Sequence, residues 1–453
     1  MSENSIYRRA SYGPSSPQVG RRGASTRQRI IEVSLDLFAE HGFFDTSVDA
    51  IAKAADISRA TLYQYFPGKD EIFLELLDEC GTALFRVARR IGPLGPTEMG
   101  FDNLNWWLGE WSWVFEKYST MFVQWAVVAS SESEIQPDIH RFVRRYNGRV
   151  SKRLEESEIQ GIEPRVAAMV VTALVHRINL FIHTDRVHGR DTQSLVDALS
   201  VFLQLFLFPN TPVQVLHSLG MRTVDAGTIT IPDRPYTTGL SLADRTEGLT
   251  NRAAKTVRAL VAAGAGQFRT KGYHRTSVDD IVNAAGFARG TYYKYFSDKQ
   301  DLLTTLGIES ESRLLELADD LRGIDLTDPD DSALRGWLNT FTDYMEYYSG
   351  SIEAWTEKTA DSALVNGLGA YAQAAIDASL VAVLAPYPRE YPFDPVLSAI
   401  IMRGAIVRIP TAAQEMEAPV ARDQSIEVVQ SAIRRGFFAD SAVRESNSIV
   451  SLD

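Results

Sequence analysis

Two short stretches of the chain carry the same arrangement of polar and aromatic side chains, at an offset of 230 residues. The first contains Arg59, Thr61, Tyr63, Gln64 and Tyr65, and the second contains Arg289, Thr291, Tyr293, Lys294 and Tyr295. Guanidinium and hydroxyl groups near the start of a short helix suit contacts to phosphates and base edges in a DNA major groove. A short structural helix would not need so many donors on its exposed side, so the pattern indicates DNA binding.

The repeat extends far beyond these residues. Residues 38–73 (FAEHGFFDTSVDAIAKAADISRATLYQYFPGKDEIF) align without a gap on residues 268–303 (FRTKGYHRTSVDDIVNAAGFARGTYYKYFSDKQDLL), with about fifteen identities. At the same offset Trp107 aligns with Trp337 and Trp125 with Trp355. A period of this length indicates duplication of a whole domain, because solenoid units are much shorter. The chain is therefore expected to carry two DNA-reading heads.

Helix-start signals frame the first helix of each head. Thr46 is followed three residues later by Asp49, and Thr276 by Asp279, which predicts a helix start resembling a capping box. The apolar positions that follow repeat at helical spacing in both copies. Each head is thus expected to begin its helix-turn-helix at an equivalent residue.

The turn and the second helix differ between the copies. Gly286 suits a left-handed turn position, and Asp56 is a tolerated substitute in the first copy. Ser58 is expected to cap the second helix of the first head. Ala288 has no capping group, so the equivalent helix start should fray more.

A lysine begins the next helix in each copy, at Lys69 and Lys299. A cation at a helix N-terminus opposes the helix dipole. Such a placement favours a partner of opposite charge, and a DNA phosphate is the interpretation that fits the neighbouring residues.

The segments TSVDAIAKAADISRATLYQYFPGKDEIF and TSVDDIVNAAGFARGTYYKYFSDKQDLL resemble the N-terminal signature of the tetracycline-repressor (TetR) family. The resemblance implies an all-α fold with two tandem TetR-like units, each with three DNA-binding helices and a helical effector and dimerisation domain. By position it implies DNA contacts from Thr46, Arg59, Thr61, Tyr63, Tyr65 and Lys69, and from Thr276, Arg289, Thr291, Tyr293, Tyr295 and Lys299. The candidate set also includes Ser47, Gln64, Ser277, Gly290 and Lys294.

The whole chain sets limits on its class. It has 453 residues, 45% hydrophobic and 23% charged, with one cysteine and a net charge of −12. These values fit a soluble globular protein of the reducing cytoplasm, and no apolar run is expected to reach the length of a membrane span. The net charge argues against non-specific coating of nucleic acid. Locally, residues 251–300 hold nine basic and three acidic side chains, whereas residues 21–70 hold seven of each.

The repeat register divides the chain into domains. The expected divisions are a basic disordered tail (1–23), a first helix-turn-helix domain (24–72), a first effector and dimerisation domain (73–209), a linker that could contain a short hairpin (210–250), a second helix-turn-helix domain (251–302), a second effector and dimerisation domain (303–440) and a tail (441–453).

The family resemblance also predicts how the halves assemble. The late helices expected at 165–183 with 192–208 and at 395–410 with 422–438 correspond to the dimer interface of the family. Because both copies share one chain, we expect an intramolecular pseudo-dimer; a true homodimer with four heads is the competing assembly. The unlike recognition faces, with Gln64 in one and Gly290 and Lys294 in the other, predict an asymmetric operator.

An aromatic stripe in each half has two interpretations. The residues are Trp107, Trp111, Phe115, Tyr118, Phe122 and Trp125 in the first half, and Trp337, Tyr344, Tyr348 and Trp355 in the second. They could be the helical core, or they could line a cavity for a small apolar or aromatic effector.

Other chemistry finds no support in the sequence. The histidines 140, 176, 183 and 188 fit no zinc template, and the chain has no GxSxG, P-loop or dinucleotide fingerprint. We therefore expect no enzyme and no cofactor. The hypothesis is a cytoplasmic, ligand-responsive regulator that represses transcription by binding double-stranded DNA. The alternative is a small-molecule sensor or protein-interaction module in which one head, the first, no longer binds DNA.

Overall fold

The computed structural model describes residues 17–129, 134–219, 228–328, 330–356, 363–387, 394–416 and 420–438. Every regular element within these ranges is a helix, so the all-α prediction is confirmed. The helices up to the linker are α1 (Pro17–His41), α2 (Val48–Ala54), α3 (Arg59–Tyr65), α4 (Lys69–Arg89), α5 (Glu98–Lys117), α6 (Ser119–Ala129), α7 (Gln136–Glu155), α8 (Pro164–His183) and α9 (Thr192–Leu207).

The linker and the second half continue the helical pattern. Their helices are α10 (Val213–Leu216), α11 (Leu242–Thr246), α12 (Asn251–Lys271), α13 (Val278–Ala285), α14 (Arg289–Tyr292), α15 (Lys299–Leu321), α16 (Ser332–Thr356), α17 (Ala363–Leu384), α18 (Pro395–Gln414) and α19 (Arg422–Phe438). A 3₁₀ turn, His217–Leu219, follows α10. The start of α1 at Pro17 lies inside the stretch 1–23 that the sequence assigned to a disordered tail.

The chain divides into two compact units. The first consists of the described residues up to Leu84 together with Tyr118–Ile139, and the second consists of Phe85–Lys117 and the described residues from His140 onward. The first head therefore belongs to the first unit. The second head and the late helices of both halves belong to the second unit.

Each head has its own apolar core. In the first, Phe38, Phe43, Ile51 and Leu62 are almost fully buried. In the second, Phe268, Ile281 and Phe296 are equally buried, and Tyr292 stands where the first copy has Leu62. The Tyr292 hydroxyl donates to the carbonyl of Asp298 at 2.8 Å, so its one polar group is satisfied inside the core.

The linker is helical and irregular rather than a hairpin, within its described residues 210–219 and 228–250. Its later part packs on the second half. The Arg234 guanidinium donates to both carboxylate oxygens of the buried Glu311, at 2.5 and 2.8 Å. Arg245 lies over the Phe296 ring at 4.8 Å and forms an ion pair with Asp301. The described residues of the linker contain no strand pairing and are held by side chains of the second half, while residues 220–227 of the segment in which the hairpin was expected lie outside the described residues.

The late helices of the two halves pack on each other within the second unit. Helix α8 lies against α18, and α9 lies against α19. Gly404 meets the side chains of Leu174 and Ile178, and the rings of Phe202 and Phe437 lie 4.8 Å apart. The helices expected to form this pairing occur close to their predicted bounds.

Three helices, α8, α17 and α18, are long and apolar enough to cross a membrane by length and composition. This finding corrects the expectation that no apolar run reaches that length. Between 56% and 83% of each apolar window is buried against other parts of the protein. Their hydrophobicity is therefore used largely in helix packing.

Candidate nucleic-acid interface

A serine begins the first helix of each helix-turn-helix. The Ser47 hydroxyl accepts the Ala50 N–H at 3.0 Å, and the Ser277 hydroxyl accepts the Asp280 N–H at 3.1 Å. In the second head, Asp280 accepts the Ser277 N–H in return, which completes a capping box. The caps thus lie one residue later than predicted, and Ala50 leaves the first head without the acidic half of the box.

The threonines that precede these serines face inward. Thr46 and Thr276 are 1% and 2% exposed. The Thr46 hydroxyl donates to the carbonyl of Gly42 at 2.7 Å, and the Thr276 hydroxyl donates to that of Gly272 at 2.8 Å. Each hydroxyl is used to satisfy the carbonyls where the preceding helix ends, and the expected DNA contact of these residues stays a prediction.

The turn between the two helices is left-handed in both heads, as predicted. Asp56 has φ of 53° and Gly286 has φ of 74°. The N–H of Ile57 donates to Ala52 at 3.0 Å and that of Phe287 donates to Val282 at 2.9 Å, the six-residue closure of a Schellman motif. The same backbone turn is thus formed by an aspartate and by a glycine.

The second helix differs in length. The Ser58 hydroxyl caps α3 by accepting the Thr61 N–H at 3.0 Å, whereas Ala288 provides no cap to α14. Helix α3 has seven residues and α14 has four, yet both begin at the equivalent arginine. The predicted weakness of the second copy therefore appears at the C-terminal end of the helix. Gly290, which has a lower helix propensity than the aligned alanine, contributes to this shortening.

The arginine of each head is held in one exposed cluster. In the first head, Arg59 donates to Asp49 at 3.1 Å and to the Tyr63 hydroxyl at 3.2 Å. The hydrogen bond with Tyr63, and then the charge of Asp49, raise the pKa of Arg59. The guanidinium remains 57% exposed. It is therefore held in place and still open to a ligand.

The second head repeats this cluster. Arg289 donates to Asp279 at 2.9 Å and to the Tyr293 hydroxyl at 3.4 Å, and its side chain is 58% exposed. The hydrogen bond with Tyr293, followed by the charge of Asp279, raises its pKa. Both aspartates were predicted only as part of a helix start, and not as members of the interface. Their constant spacing of ten residues before the arginine was the signal available.

The other predicted residues fall into two groups. Gln64, Gly290 and Lys294 are exposed, and 43% of the surface of Tyr63 and 48% of that of Tyr293 are open to solvent. Thr61 and Thr291 are half-buried, and Tyr65 and Tyr295 pack partly against the cores of their heads. The exposed group shares the surface with the arginine cluster. The second group mainly supports it.

Lys69 and Lys299 do not point away from the protein. The Lys69 ammonium donates to the carbonyls of Phe43, Phe44 and Thr46, at 2.7, 2.9 and 2.8 Å. Lys299 donates to the carbonyls of Tyr273 and His274, at 2.7 and 3.3 Å. Burial lowers the pKa of Lys69, although the charges of Asp70 and Asp45 oppose that shift. These ammonium groups tie down the loop before each helix-turn-helix, and the predicted phosphate contact stays a prediction.

The aromatic residues considered for an effector are mostly core residues. Trp107, Trp111 and Phe115 are at most 3% exposed. The Trp111 indole donates to the Tyr146 hydroxyl at 3.1 Å, and the Trp337 indole donates to the Leu317 carbonyl at 2.8 Å. The remaining candidates with described side chains are Tyr118, Phe122, Trp125, Tyr344 and Tyr348, while the Trp355 side chain lies outside the described residues.

A cavity of about 540 Å³ lies elsewhere in the second unit. It is lined by His140 and Arg144 of α7 and, at the end of α18, by Thr411, Gln414, Glu415 and Met416. None of the nine candidate aromatic residues with described side chains lines it. Packing thus favours the core interpretation of the aromatic stripe.

Comparison with known proteins agrees with the two heads. The family of bacterial regulatory proteins, tetR family, matches residues 30–76 and 260–306. The two matched segments lie in tandem, so the chain is a tandem TetR-like protein.

Curated relatives show where the similarity lies. The chain is 49% identical over 59 residues to the "Putative mycofactocin biosynthesis transcriptional regulator MftR" of Mycobacterium tuberculosis, covering 13% of this chain and 30% of that protein. It is 43% identical over 51 residues to the HTH-type transcriptional regulator AcrR of Shigella flexneri, covering 11% and 24%. The chain therefore spans less than a third of these relatives.

Longer matches have lower identity. The negative transcriptional regulator IcaR of the biofilm operon icaADBC in Staphylococcus epidermidis is 24% identical over 159 residues, covering 35% of this chain and 80% of that protein. A crystal structure of a TetR/AcrR-family regulator from Thermobifida fusca matches with 20% identity, covering 40% of this chain and 97% of that chain at a TM-score of 0.30.

Proposed function

We propose that this protein is a cytoplasmic DNA-binding regulator that represses transcription by reading an asymmetric operator through its two heads. The observation that carries the proposal is the exposed arginine, aspartate and tyrosine cluster at equivalent positions of both heads. A guanidinium held in one orientation suits bidentate recognition of guanine, and a tyrosine hydroxyl suits a phosphate oxygen. The unlike neighbours Gln64 and Lys294 would then give the heads unlike half-sites.

The two halves are proposed to form the dimer of this class within one chain. Supporting this is the packing of α8 on α18 and of α9 on α19. In two polar contacts across this packing, the second half supplies the donor. Arg403 donates to the Arg186 carbonyl at 2.8 Å, and Arg435 donates to the Phe206 carbonyl at 2.8 Å.

These two contacts have no counterpart in the reverse direction, which argues for a dedicated internal pairing. The residues aligned with Arg403 and Arg435 in the first half are Ala173 and Leu205, which cannot make such contacts. A two-fold symmetric homodimer would use each contact twice. The competing four-headed assembly would have to use another surface.

An effector is proposed to bind the helical domains, 73–209 and 303–440, and to shift the balance between DNA-binding and non-binding conformations. A ligand changes this balance only by its different affinity for the two conformations. Helix α4 follows the first head directly, and α15 follows the second, so movement of either helix would be transmitted to its head.

The test uses the full-length chain. Operator DNA would be selected from a random duplex library and its affinity measured by fluorescence anisotropy at several salt concentrations. We expect Arg59→Ala and Arg289→Ala each to weaken binding by about tenfold and to relax preference in one half-site only. Arg145→Ala, a change of an exposed arginine outside the heads, serves as the matched control.

The outcomes separate the two hypotheses. If the double variant Arg59→Ala, Arg289→Ala bound the selected operator as tightly as the unchanged chain, the proposed interface would be wrong. If only Arg289→Ala had an effect, the alternative with an inactive first head would gain support. This alternative is supported by the equal numbers of acidic and basic side chains, seven of each, in residues 21–70.

A further inference from the structure

Four arginines lie on or just beyond the packed helices α8 and α18, with Arg177 on α8, Arg186 after its end, and Arg403 and Arg408 on α18. Two of them have acidic partners: Arg403 donates to Asp377 at 2.7 Å, and Arg408 donates to the two oxygens of Glu415 at 3.0 and 2.7 Å. Within the described residues, Arg177 and Arg186 have no acidic group at ion-pair distance. This region of the second unit thus holds more positive than negative charge.

Arg177 is the least satisfied of the four. Its Nε atom is buried without a hydrogen-bond acceptor among the described residues. Burial lowers its pKa to about 9, with the charges of Arg408, Arg186 and Arg403 acting in the same direction and that of Glu353 opposing them. A buried cationic group without a partner is unfavourable unless an anion binds it.

The cavity lies beside this charge. Arg144, on its wall, is exposed and has no hydrogen-bond or ion-pair partner in the described part of the chain. Burial alone would raise the pKa of Glu415, but Arg408, and after it His140 and Arg177, lower it overall. Glu415 is therefore ionised and engaged by Arg408. Arg177 does not line the cavity, but its charge acts on Glu415, which does.

We propose that this cavity binds a small organic anion, whose carboxylate or phosphate group is held by Arg144 and attracted by the positive charge of Arg177. Thr411 and Gln414 would offer neutral hydrogen bonds, and Met416 an apolar contact. A volume of about 540 Å³ is within the range of small-molecule sites. The inference rests on the proposed function, for which it names the class of effector. It also replaces the apolar or aromatic effector that the sequence suggested.

The other half of the chain lacks the same site. At the 230-residue offset, His140, Arg144 and Arg177 align with Ala370, Ala374 and Val407. The helix that carries these alanines instead holds Asp377, which is fully buried and bonded both to Arg403 and, at 2.8 Å, to His188. An internal ion network thus occupies that half, so we expect one anion site per chain.

The experiment measures thermal unfolding of the full-length chain with inorganic phosphate or citrate, at constant ionic strength adjusted with sodium chloride. A ligand that binds only the folded state raises the melting temperature. We expect each anion at about 10 mM to raise it by about 2 °C or more. The double variant Arg144→Ala, Arg177→Met should lose this response, whereas Arg145→Ala on the same helix should keep it.

The variant carries its own folding check. Because Arg177→Met removes an unpartnered charge, the variant should melt without anion at or above the temperature of the unchanged chain. Absence of a shift in the unchanged chain overturns the proposal, and so does an equal shift in the double variant. DNA binding is measured on the same samples. An anion shift without DNA binding would count against the proposed function alone, and DNA binding without the shift against the anion site alone.

Discussion

The two heads reach the same exposed cluster through different local supports. Both place an arginine between an aspartate and a tyrosine hydroxyl, and both turn through a left-handed residue. The second head has a complete capping box and a turn glycine, but the second helix of its helix-turn-helix, α14, has no cap. In the first head the equivalent helix, α3, is capped, but there is no capping box and an aspartate stands in the turn. The two heads thus share the same exposed groups, while the residues that cap their helices and form the turn differ.

We expect the largest loss of stability when the hydrogen bonds from Lys69 or Lys299 to backbone carbonyls are removed. Lys69→Met leaves three carbonyls without their donor and should destabilise the first head by about 2–3 kcal/mol, whereas Lys299→Met removes two such bonds and should cost about 1–2 kcal/mol. Hydrogen exchange of the full-length chain, read in peptides covering residues 43–58 and 273–288, would measure both. Lys53→Met and Lys294→Met, at exposed lysines, should leave exchange unchanged.

The same lysine variants sharpen the assignment of DNA contacts. Exchange that stayed slow in Lys69→Met while DNA affinity fell would return that lysine to the phosphate role predicted from the sequence. Faster exchange in the loop before α2 would support the structural role instead.

The capping box should give the next effect, and it depends on pH. Hydrogen bonds from Lys271 and then from the backbone and hydroxyl of Ser277 hold the pKa of Asp280 well below its ordinary value near 3.9. A carboxylate with a lowered folded pKa stabilises above its unfolded pKa, and this stabilisation is lost as pH falls. As the pH is lowered from about 5 to 3, the protection of the second head against hydrogen exchange, relative to the intrinsic exchange rate at each pH, should therefore fall.

The first head supplies the matched control for this prediction. Ala50 stands at the position of Asp280, so Asp280→Ala should remove the added pH response, and Ala50→Asp should introduce part of it. The magnitude should be about 1 kcal/mol at neutral pH. An Asp280→Ala chain that kept the full acid sensitivity in residues 273–288 would contradict this account.

The helix cap should give the smallest effect. Ala288→Ser would supply the hydroxyl that Ser58 provides in the first head and should stabilise α14 by about 0.5–1 kcal/mol. Ser58→Ala should weaken α3 by a similar amount. Slower exchange in residues 289–296 of Ala288→Ser would confirm the prediction, and unchanged exchange would show that Gly290 limits this helix more than its cap does.

Much of the fold was predictable because it depends on local patterns. The helical spacing of apolar residues, the Ser58 cap and the left-handed turn at Asp56 and Gly286 are determined by residues close in sequence. The direction in which individual side chains point was not predictable in this way. A threonine or lysine beside a DNA-facing helix reads as a DNA ligand, yet Thr46 and Lys69 point to carbonyls up to 26 residues away in sequence. Sequence spacing did not reveal those acceptors.

The sequence by itself determined that the chain is duplicated and helical, and that each half carries a TetR-type head with an arginine and tyrosines on its second helix. These features follow from short-range periodicity and from the register of the repeat. Only the tertiary structure decided which polar groups remain available. It turned Thr46 and Lys69 inward, buried Trp107, Trp111 and Phe115 and left Arg144 on the wall of a cavity, because burial and pairing depend on helices that are far apart in the chain.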